Sequence, residues 1–168
     1  MRSRIISQTA AVAQNLVARR RSSGFGNTLA EQDYIWGSNG VAANQSLLLL
    51  LANHFHPNAE TVEAALGNLH YLLGRNCFGV SWVTHVGNNA LQRPHHRPSM
   101  ADRVTLPWPG LLVGGPNAKP SDNAALSLRP LPPMRMWVDD QQAYSLNEVA
   151  INWNAALVFL LAAANAQS

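Results

Sequence analysis

The stretch Asn58-Ala-Glu-Thr-Val-Glu-Ala-Ala-Leu-Gly-Asn-Leu-His-Tyr-Leu-Leu-Gly74 decides the fold class. Asn58 is a helix-capping residue type, Glu60 and Glu63 suit a positive first turn, and Gly74 supplies a C-terminal stop. Between them Val62, Ala65, Leu66, Leu69, Leu72 and Leu73 recur at helical spacing and predict one apolar stripe. Upstream, residues 41–53 predict a helix buried on most sides, because residues 47–51 are all leucine. Farther upstream, Ile5, Ile6, Val12, Ala13, Leu16 and Val17 keep the same period up to Arg20, before a Gly/Ser break at residues 22–26. Downstream, the period vanishes over residues 74–144, which hold nine of the ten prolines. So long a stretch is either functional or disordered, and Trp82, Trp108, Trp137 and His95-His96-Arg97 argue against disorder. Helix returns at Ser145, with Val149, Trp153, Ala156, Leu157 and Leu160 on one face. The expectation is an all-α chain of antiparallel helices, with elaborate loops at one end carrying the chemistry.

Composition narrows the function classes. The chain has 168 residues, enough for one domain, but only 12% are charged, about half the usual share. Lys119 is the only lysine, and asparagines outnumber all carboxylates. That shortfall predicts surface lying against something else. The net charge of +3 is a weak electrostatic signal, and Arg19, Arg20 and Arg21 have no aromatic neighbours for base stacking. They read as solvated arginines at a helix C-terminus, so no nucleic-acid partner is expected. Gln8, Gln14 and Asn15 interrupt the N-terminal apolar residues, so this chain shows no signal peptide. The longest apolar run, residues 155–164, is too short to cross a bilayer, and no membrane partner is expected.

Several chemistries lack support. Cys77 has no second cysteine and no assigned base, and no G-x-S-x-G elbow exists, so acyl transfer has no nucleophile. His54-x-His56 with His95 has no supporting carboxylate or thiol pattern, so neither a metal nor another cofactor is expected. Gly114-Gly115-Pro116-Asn117 leads into no helix and reads as a tight turn rather than a phosphate cradle. Glu148 has two readings. It completes a Ser145-x-x-Glu148 capping box, and it is also a carboxyl beside loops rich in Trp and Tyr, nine positions after Asp139. Aromatic residues interleaved with Asn, His and Arg fit carbohydrate, whose rings stack on aromatic faces and whose hydroxyls pair with amides.

The run Ser81-Trp-Val-Thr-His-Val-Gly87-Asn-Asn89, then Pro94-His95-His96-Arg97, resembles the first active-site signature of glycoside hydrolase family 9. Trp137-Val-Asp139, Tyr144, Asn147-Glu148-Val-Ala and Asn154-Ala155 resemble its second. Tyr34-Ile-Trp36-Gly-Ser-Asn39, Tyr71-Leu-Leu-Gly74-Arg-Asn76 and Val113-Gly-Gly-Pro-Asn117 are also similar to that family, in its usual order. The resemblance implies part of an (α/α)₆ barrel, with long loops forming one end of a substrate cleft. It implies cleavage of β-1,4-glucosidic bonds with inversion, in cellulose or related β-glucans. On that basis Glu148 matches the general acid, Asp139 the signature carboxylate and His95 the signature histidine. Arg97 would bind sugar hydroxyls, and Trp36 and Tyr144 would contact glucosyl rings. The implied partner is a β-1,4-glucan or cello-oligosaccharide, and the implied location is extracellular.

The sequence departs from the family pattern in one important respect. An inverting glycosidase needs a second carboxylate to activate water. The family draws it from a D-A-x-D motif, which is absent from this sequence. His85 also replaces a small residue, and Ala156 a more usual proline. Residues 1–168 are therefore expected to be the C-terminal part of a single catalytic domain, with residues 74–144 as its loop-rich cleft region. The chain would carry the acid and lack the base. Its exposed helix faces would meet a missing N-terminal half or a self-associated copy. The alternatives are a non-catalytic carbohydrate-binding remnant, one half of a two-part assembly, and a structural protein that docks another chain.

Overall fold

The computed structural model describes residues 1–128 and 130–166. Four long helices form its body: α1 (Arg2–Ser22), α2 (Ser38–Phe55), α3 (Ala59–Leu72) and α7 (Ile151–Asn165). Short helices α4 (Arg97–Ala101), α5 (Asn123–Leu126) and α6 (Tyr144–Asn147) punctuate the long loop region. The described residues contain no regular strand, only isolated bridges pairing 81 with 90, 83 with 112, 95 with 148 and 113 with 149. The all-α expectation holds.

The ends of α3 form as its sequence dictates. Asn58 Oδ1 accepts the Glu60 N–H at 2.9 Å, and Gly74 takes φ +123° just past the last turn, where a side chain would be strained. A three-residue link turns α3 back along α2. Asn68 donates to the Ala42 carbonyl and Ser46 to the Ala65 carbonyl, each at 3.1 Å, so the two helices run antiparallel. The buried face differs from the predicted stripe. Ala65, Leu69 and Leu72 are buried, but Val62, Leu66 and Leu73 are only half-buried, while Thr61, Ala64, Gly67, Asn68 and Tyr71 are buried in addition. The reason is contact on two sides. Besides α2, α3 meets residues 26–28: Asn68 Oδ1 accepts the Thr28 N–H at 2.8 Å. At Gly67 a Cβ would lie 2.1 Å from the Gly26 carbonyl oxygen.

The arginines at the end of α1 are not simply solvated, as the sequence suggested. Arg19 pairs with Asp33 at 2.9 Å, Arg20 with Glu63 at 3.0 Å, and Arg21 with Glu60. The last two pairs tie the end of α1 to the first turns of α3.

Tryptophans from the loop region also supply core. Trp82 packs on Tyr71 with ring centroids 4.9 Å apart and on Trp137 at 6.1 Å, and Phe78 meets Trp137 at 5.2 Å. Trp82 and Trp137 therefore anchor the loops, whereas Trp36 and Trp108 remain exposed.

Helix does not resume continuously at Ser145. The four residues of α6 end at Asn147, Glu148 is extended (φ −61°, ψ 146°), and α7 begins only at Ile151. The predicted capping box is absent for a physical reason: the Ser145 hydroxyl donates to the buried Asp122 carboxylate, which also accepts the Ser145 N–H at 3.0 Å. The backbone of residues 146–149 is paired instead with residues 113–115 and His95.

Candidate functional site

The segments that lead into α2 and α7 carry Trp36 and Glu148, and close helix packing brings them together. The Trp153 indole of α7 lies over Gly37 and Gly40 at the start of α2. A Cβ at Gly40 would sit 2.2 Å from Trp153 Cδ1, and one at Gly37 2.5 Å from Cζ2. Only glycine allows this approach, and at Gly37 the backbone also takes φ +90°.

A layer of backbone hydrogen bonds then fixes the register. Asn39 N–H donates to the Gly114 carbonyl at 2.9 Å, Gly114 N–H to the Glu148 carbonyl at 2.9 Å, and Gly115 N–H to the Leu146 carbonyl at 2.7 Å. Amide side chains, Asn39 and Asn147 buried and Asn154 half-buried, reinforce it. Asn39 Nδ2 donates to the Val113 carbonyl at 3.0 Å. Asn154 Oδ1 accepts the Leu112 N–H at 2.9 Å, while its Nδ2 donates to Ala150 O at 2.9 Å. Asn147 has the widest reach: its Oδ1 accepts the Trp137 indole N–H at 2.8 Å, and its Nδ2 donates to the carbonyls of Val138 (2.7 Å) and Asp140 (2.9 Å). Its own carbonyl accepts the His95 N–H at 2.7 Å.

On this scaffold four of the six expected site residues meet. Glu148 Oε2 accepts the Trp36 indole N–H at 3.1 Å. The Trp36 and Tyr144 rings lie 5.8 Å apart, and those of Tyr144 and His95 5.9 Å apart. Trp36 and Tyr144 are about 40% exposed, so their faces remain open to a ligand. His95 Nδ1 lies 2.9 Å from the Gln141 carbonyl. A carbonyl only accepts, so Nδ1 carries a proton and Nε2 is the ring nitrogen turned to other partners. A cavity of about 570 Å³ continues from Trp36 along Glu31, Tyr34 and Lys119.

Among the described residues, Asp139 and Arg97 make no side-chain hydrogen bond or ring contact with that row. Asp139 accepts the backbone N–H groups of Gln92 (2.7 Å, Oδ2) and Arg93 (2.8 Å, Oδ1), so both of its oxygens hold a loop. Arg97 opens α4 with an exposed side chain. Next to it, the His96 ring lies 2.8 Å from Ser99 Oγ through Nδ1 and meets Trp108 edge-on at 5.2 Å. Burial holds the His96 imidazole below its ordinary pKa, with the Asp102 carboxylate acting against that shift. His85, which adopts φ +61°, bonds the Pro107 carbonyl through Nε2 at 2.8 Å. No group of three or more His, Cys, Asp or Glu suited to a metal ion occurs among the described residues, and no described helix is long and apolar enough to cross a membrane.

Sequence reasoning gave the polar and aromatic groups of the row but missed what holds them. Asn147 and Asn154 belong to the second signature as quoted, yet nothing in the spacing reveals their hydrogen bonds. The Gly37-x-x-Gly40 spacing at a helix start was the available signal for the Trp153 contact.

Known proteins resemble this chain in sequence and in fold. The model of "Glycosyl hydrolase family 9" matches residues 3–161. Endoglucanase D of Acetivibrio thermocellus is 41% identical over 150 residues, covering 89% of this chain and 22% of the relative. A cellodextrinase of Butyrivibrio fibrisolvens is 41% identical over 153 residues, covering 90% of this chain and 28% of the relative. Among solved structures, a thermostable endoglucanase from Alicyclobacillus acidocaldarius superimposes with TM-score 0.89 at 40% identity, over 96% of this chain and 31% of that one. AaCel9A in complex with cellobiose-like isofagomine gives TM-score 0.90 at 38% identity, with the same coverage of 96% and 31%. The chain thus spans about a quarter of the curated relatives and about a third of the solved enzymes. The helical architecture corresponds to part of the (α/α)₆ barrel of those enzymes, and the chain belongs to glycosyl hydrolase family 9.

Proposed function

We propose that residues 1–168 are the C-terminal part of a catalytic domain that hydrolyses β-1,4-glucosidic bonds with inversion, and that Glu148 is its general acid. The observation that carries the reading is the Glu148 carboxyl beside the open Trp36–Tyr144–His95 row, bonded among the described residues only to the Trp36 indole N–H. A glucosyl ring stacked on that row would set its glycosidic oxygen near Glu148. Glu148 would protonate the departing oxygen while water attacks the anomeric carbon from the opposite face. Arg97 would bind hydroxyls at the rim. A polymeric glucan cannot enter cells, so the place of action is extracellular.

Inversion also needs a base roughly 6.5–9.5 Å from the acid. The chain's other carboxylates have structural partners. Asp33, Glu60 and Glu63 pair with arginines. Asp102 accepts the Trp108 indole, Asp122 accepts Ser145, and Asp139 and Asp140 accept backbone N–H groups. Among the described residues Glu31, in the cavity beside Trp36, is the exception. A base supplied from outside these residues is supported by the absent D-A-x-D motif, and Glu31 is the candidate within them.

Azide, a small external nucleophile, tests both halves of the reading. With the full chain and a soluble cello-oligosaccharide, the expected result is binding weakened by Trp36→Ala. Cleavage should be slow without azide and accelerated by it, giving a glycosyl azide, and it should be lost in Glu148→Gln. Cleavage that survives Glu148→Gln overturns the acid assignment. Azide-independent turnover lost in Glu31→Gln places the base at Glu31 instead, and absence of any oligosaccharide binding overturns the glucan reading.

A further inference from the structure

Tyr144 and Glu148 stand at the two ends of α6, a single turn of four residues that cannot hold its own place. The Glu148 end is tied by backbone hydrogen bonds to residues 113–115 and to His95. The Tyr144 end is tied through Ser145, which is fully buried and has every polar group engaged. Its N–H donates to Asp122 Oδ2 at 3.0 Å, and its hydroxyl donates to the same oxygen. That hydroxyl also accepts the Ser121 N–H at 3.4 Å, and the Ser145 carbonyl accepts Asn117 Nδ2 at 3.3 Å.

Asp122 differs from the other buried braces. Among the described residues it is the one buried carboxylate, where the rest are amides and hydroxyls, and no arginine or lysine pairs with it. An amide would not serve in its place. Asp122 Oδ1 accepts the Ala125 N–H at 2.7 Å while Oδ2 takes both Ser145 donors. Donors therefore approach both oxygens, and an asparagine would turn its NH₂ group onto one set of them. A carboxylate is costly to bury, so what it fixes must matter. Tyr144 also has another place to go. A space of about 300 Å³ adjoins it, lined by Ser121, Asp122, Ala124 and Gln142. With Ser145 released, the ring is free to turn into that space and leave its neighbours Trp36 and His95.

We propose that Asp122 is a positioning residue: acting through Ser145, it holds Tyr144 in the Trp36–Tyr144–His95 row and so sets substrate affinity rather than the chemical step. The inference rests on the glucan reading of that row. It follows from how α6 is anchored. Asp122 grips the residue next to Tyr144, whereas Glu148 is aligned from the opposite end by Gly114 and its neighbours. Loss of the first anchor frees the ring and leaves the acid in place.

The test is cello-oligosaccharide binding to the full chain by calorimetry, together with the azide-dependent cleavage rate at saturating oligosaccharide. Asp122→Asn should weaken binding about tenfold and Ser145→Ala about threefold. The saturating rate should change about twofold or less, because only ground-state binding is lost. In a Tyr144→Ala background Asp122→Asn should add nothing, since both act on one contact. Ser46→Ala, which removes a buried hydroxyl between α2 and α3, is the control: it should lower the thermal midpoint and leave affinity unchanged. Circular dichroism checks folding, and Ser145→Ala, which keeps the Ser145 N–H bond to Asp122, carries the test if Asp122→Asn does not fold. Wild-type affinity in the folded variants, a full additional loss in the Tyr144→Ala background, or an equal loss in Ser46→Ala overturns this proposal and leaves the row intact. A saturating rate that falls in step with affinity also overturns it, because the acid would then be displaced. A wild type that binds no oligosaccharide overturns the glucan reading and this inference together.

Discussion

Asn147 shows how one residue both supports the fold and places a functional group. Its side chain makes three hydrogen bonds in a buried setting, and its carbonyl aligns His95 beside Glu148. Asn147→Ala strands the Trp137 indole N–H and two carbonyls, each worth about 1–3 kcal/mol when left unpaired. The expected loss by urea denaturation is about 3 kcal/mol or more. Asn147→Asp keeps the acceptor for Trp137 but turns a buried carboxylate oxygen onto the Val138 and Asp140 carbonyls, so it should destabilise at least as much; a neutral Asn147→Ala would sink the account. Glu148 and His95 were readable as residues because a signature records residue types at fixed spacing. The partners of Asn147 were not, because they come from residues 137–140 and are set only by the three-dimensional course of the loop. A second consequence at this scale is pH dependence. Burial depresses the pKa of His96, against the opposing pull of Asp102, and burial together with Arg75 depresses that of His70. For a base held low in the folded state, the unfolded chain takes up protons first, so stability is present above the ordinary value and is lost as pH falls. The thermal midpoint should therefore decline below about pH 6.5. His70→Gln/His96→Gln should flatten that decline, and an unchanged slope in the double variant refutes the assignment.

At the scale of elements, periodicity was enough to reveal α1, α2 and α3, because each buries apolar side chains at helical spacing. It did not place the start of α7. The Ser145-x-x-Glu148 pattern suits a helix N-terminus, but Asp122, distant in sequence, occupies the Ser145 hydroxyl, and residues 113–115 claim the neighbouring backbone. Tertiary partners there outweigh a local cap worth about 1 kcal/mol. The same limit hid the α2–α7 crossing, where Gly40 matters for the atoms it lacks. Gly40→Ala drives a methyl group into Trp153, so overpacking of about 1–3 kcal/mol is expected, together with a shift of Trp36 relative to Glu148. Gly24, where an added Cβ meets nothing within 4 Å, provides the control. Trp153→Leu should restore stability in the Gly40→Ala background if the clash is the cause. Equal midpoints for Gly24→Ala and Gly40→Ala would show that the helices separate without cost.

For the whole molecule, the low charge follows from two uses of surface. Inside, amides replace carboxylates as loop braces: Asn27, Asn39, Asn68, Asn76, Asn117 and Asn147 are all buried, and a neutral amide avoids the desolvation cost of a buried charge. Outside, apolar side chains stand in water along the helices. Ile151 is 91% exposed, Val158 64% and Phe159 54% on or beside α7, with Leu48 and Leu51 on α2 and Ile5 and Val12 on α1. An apolar groove of about 770 Å³ runs between α2 and α7, lined by Leu47, Leu51 and Phe159. Surface of this kind is costly to hydrate and is covered in a stable assembly. The 168-residue chain in isolation should accordingly bind a hydrophobic dye and associate as its concentration rises in sedimentation velocity. Val158→Glu/Phe159→Glu should reduce both signals with little change in thermal midpoint, because neither side chain is buried in the core. A chain that stays monomeric, binds no dye and responds to neither substitution would mean that these faces are compatible with water. The sparse charge would then follow from the buried amides alone.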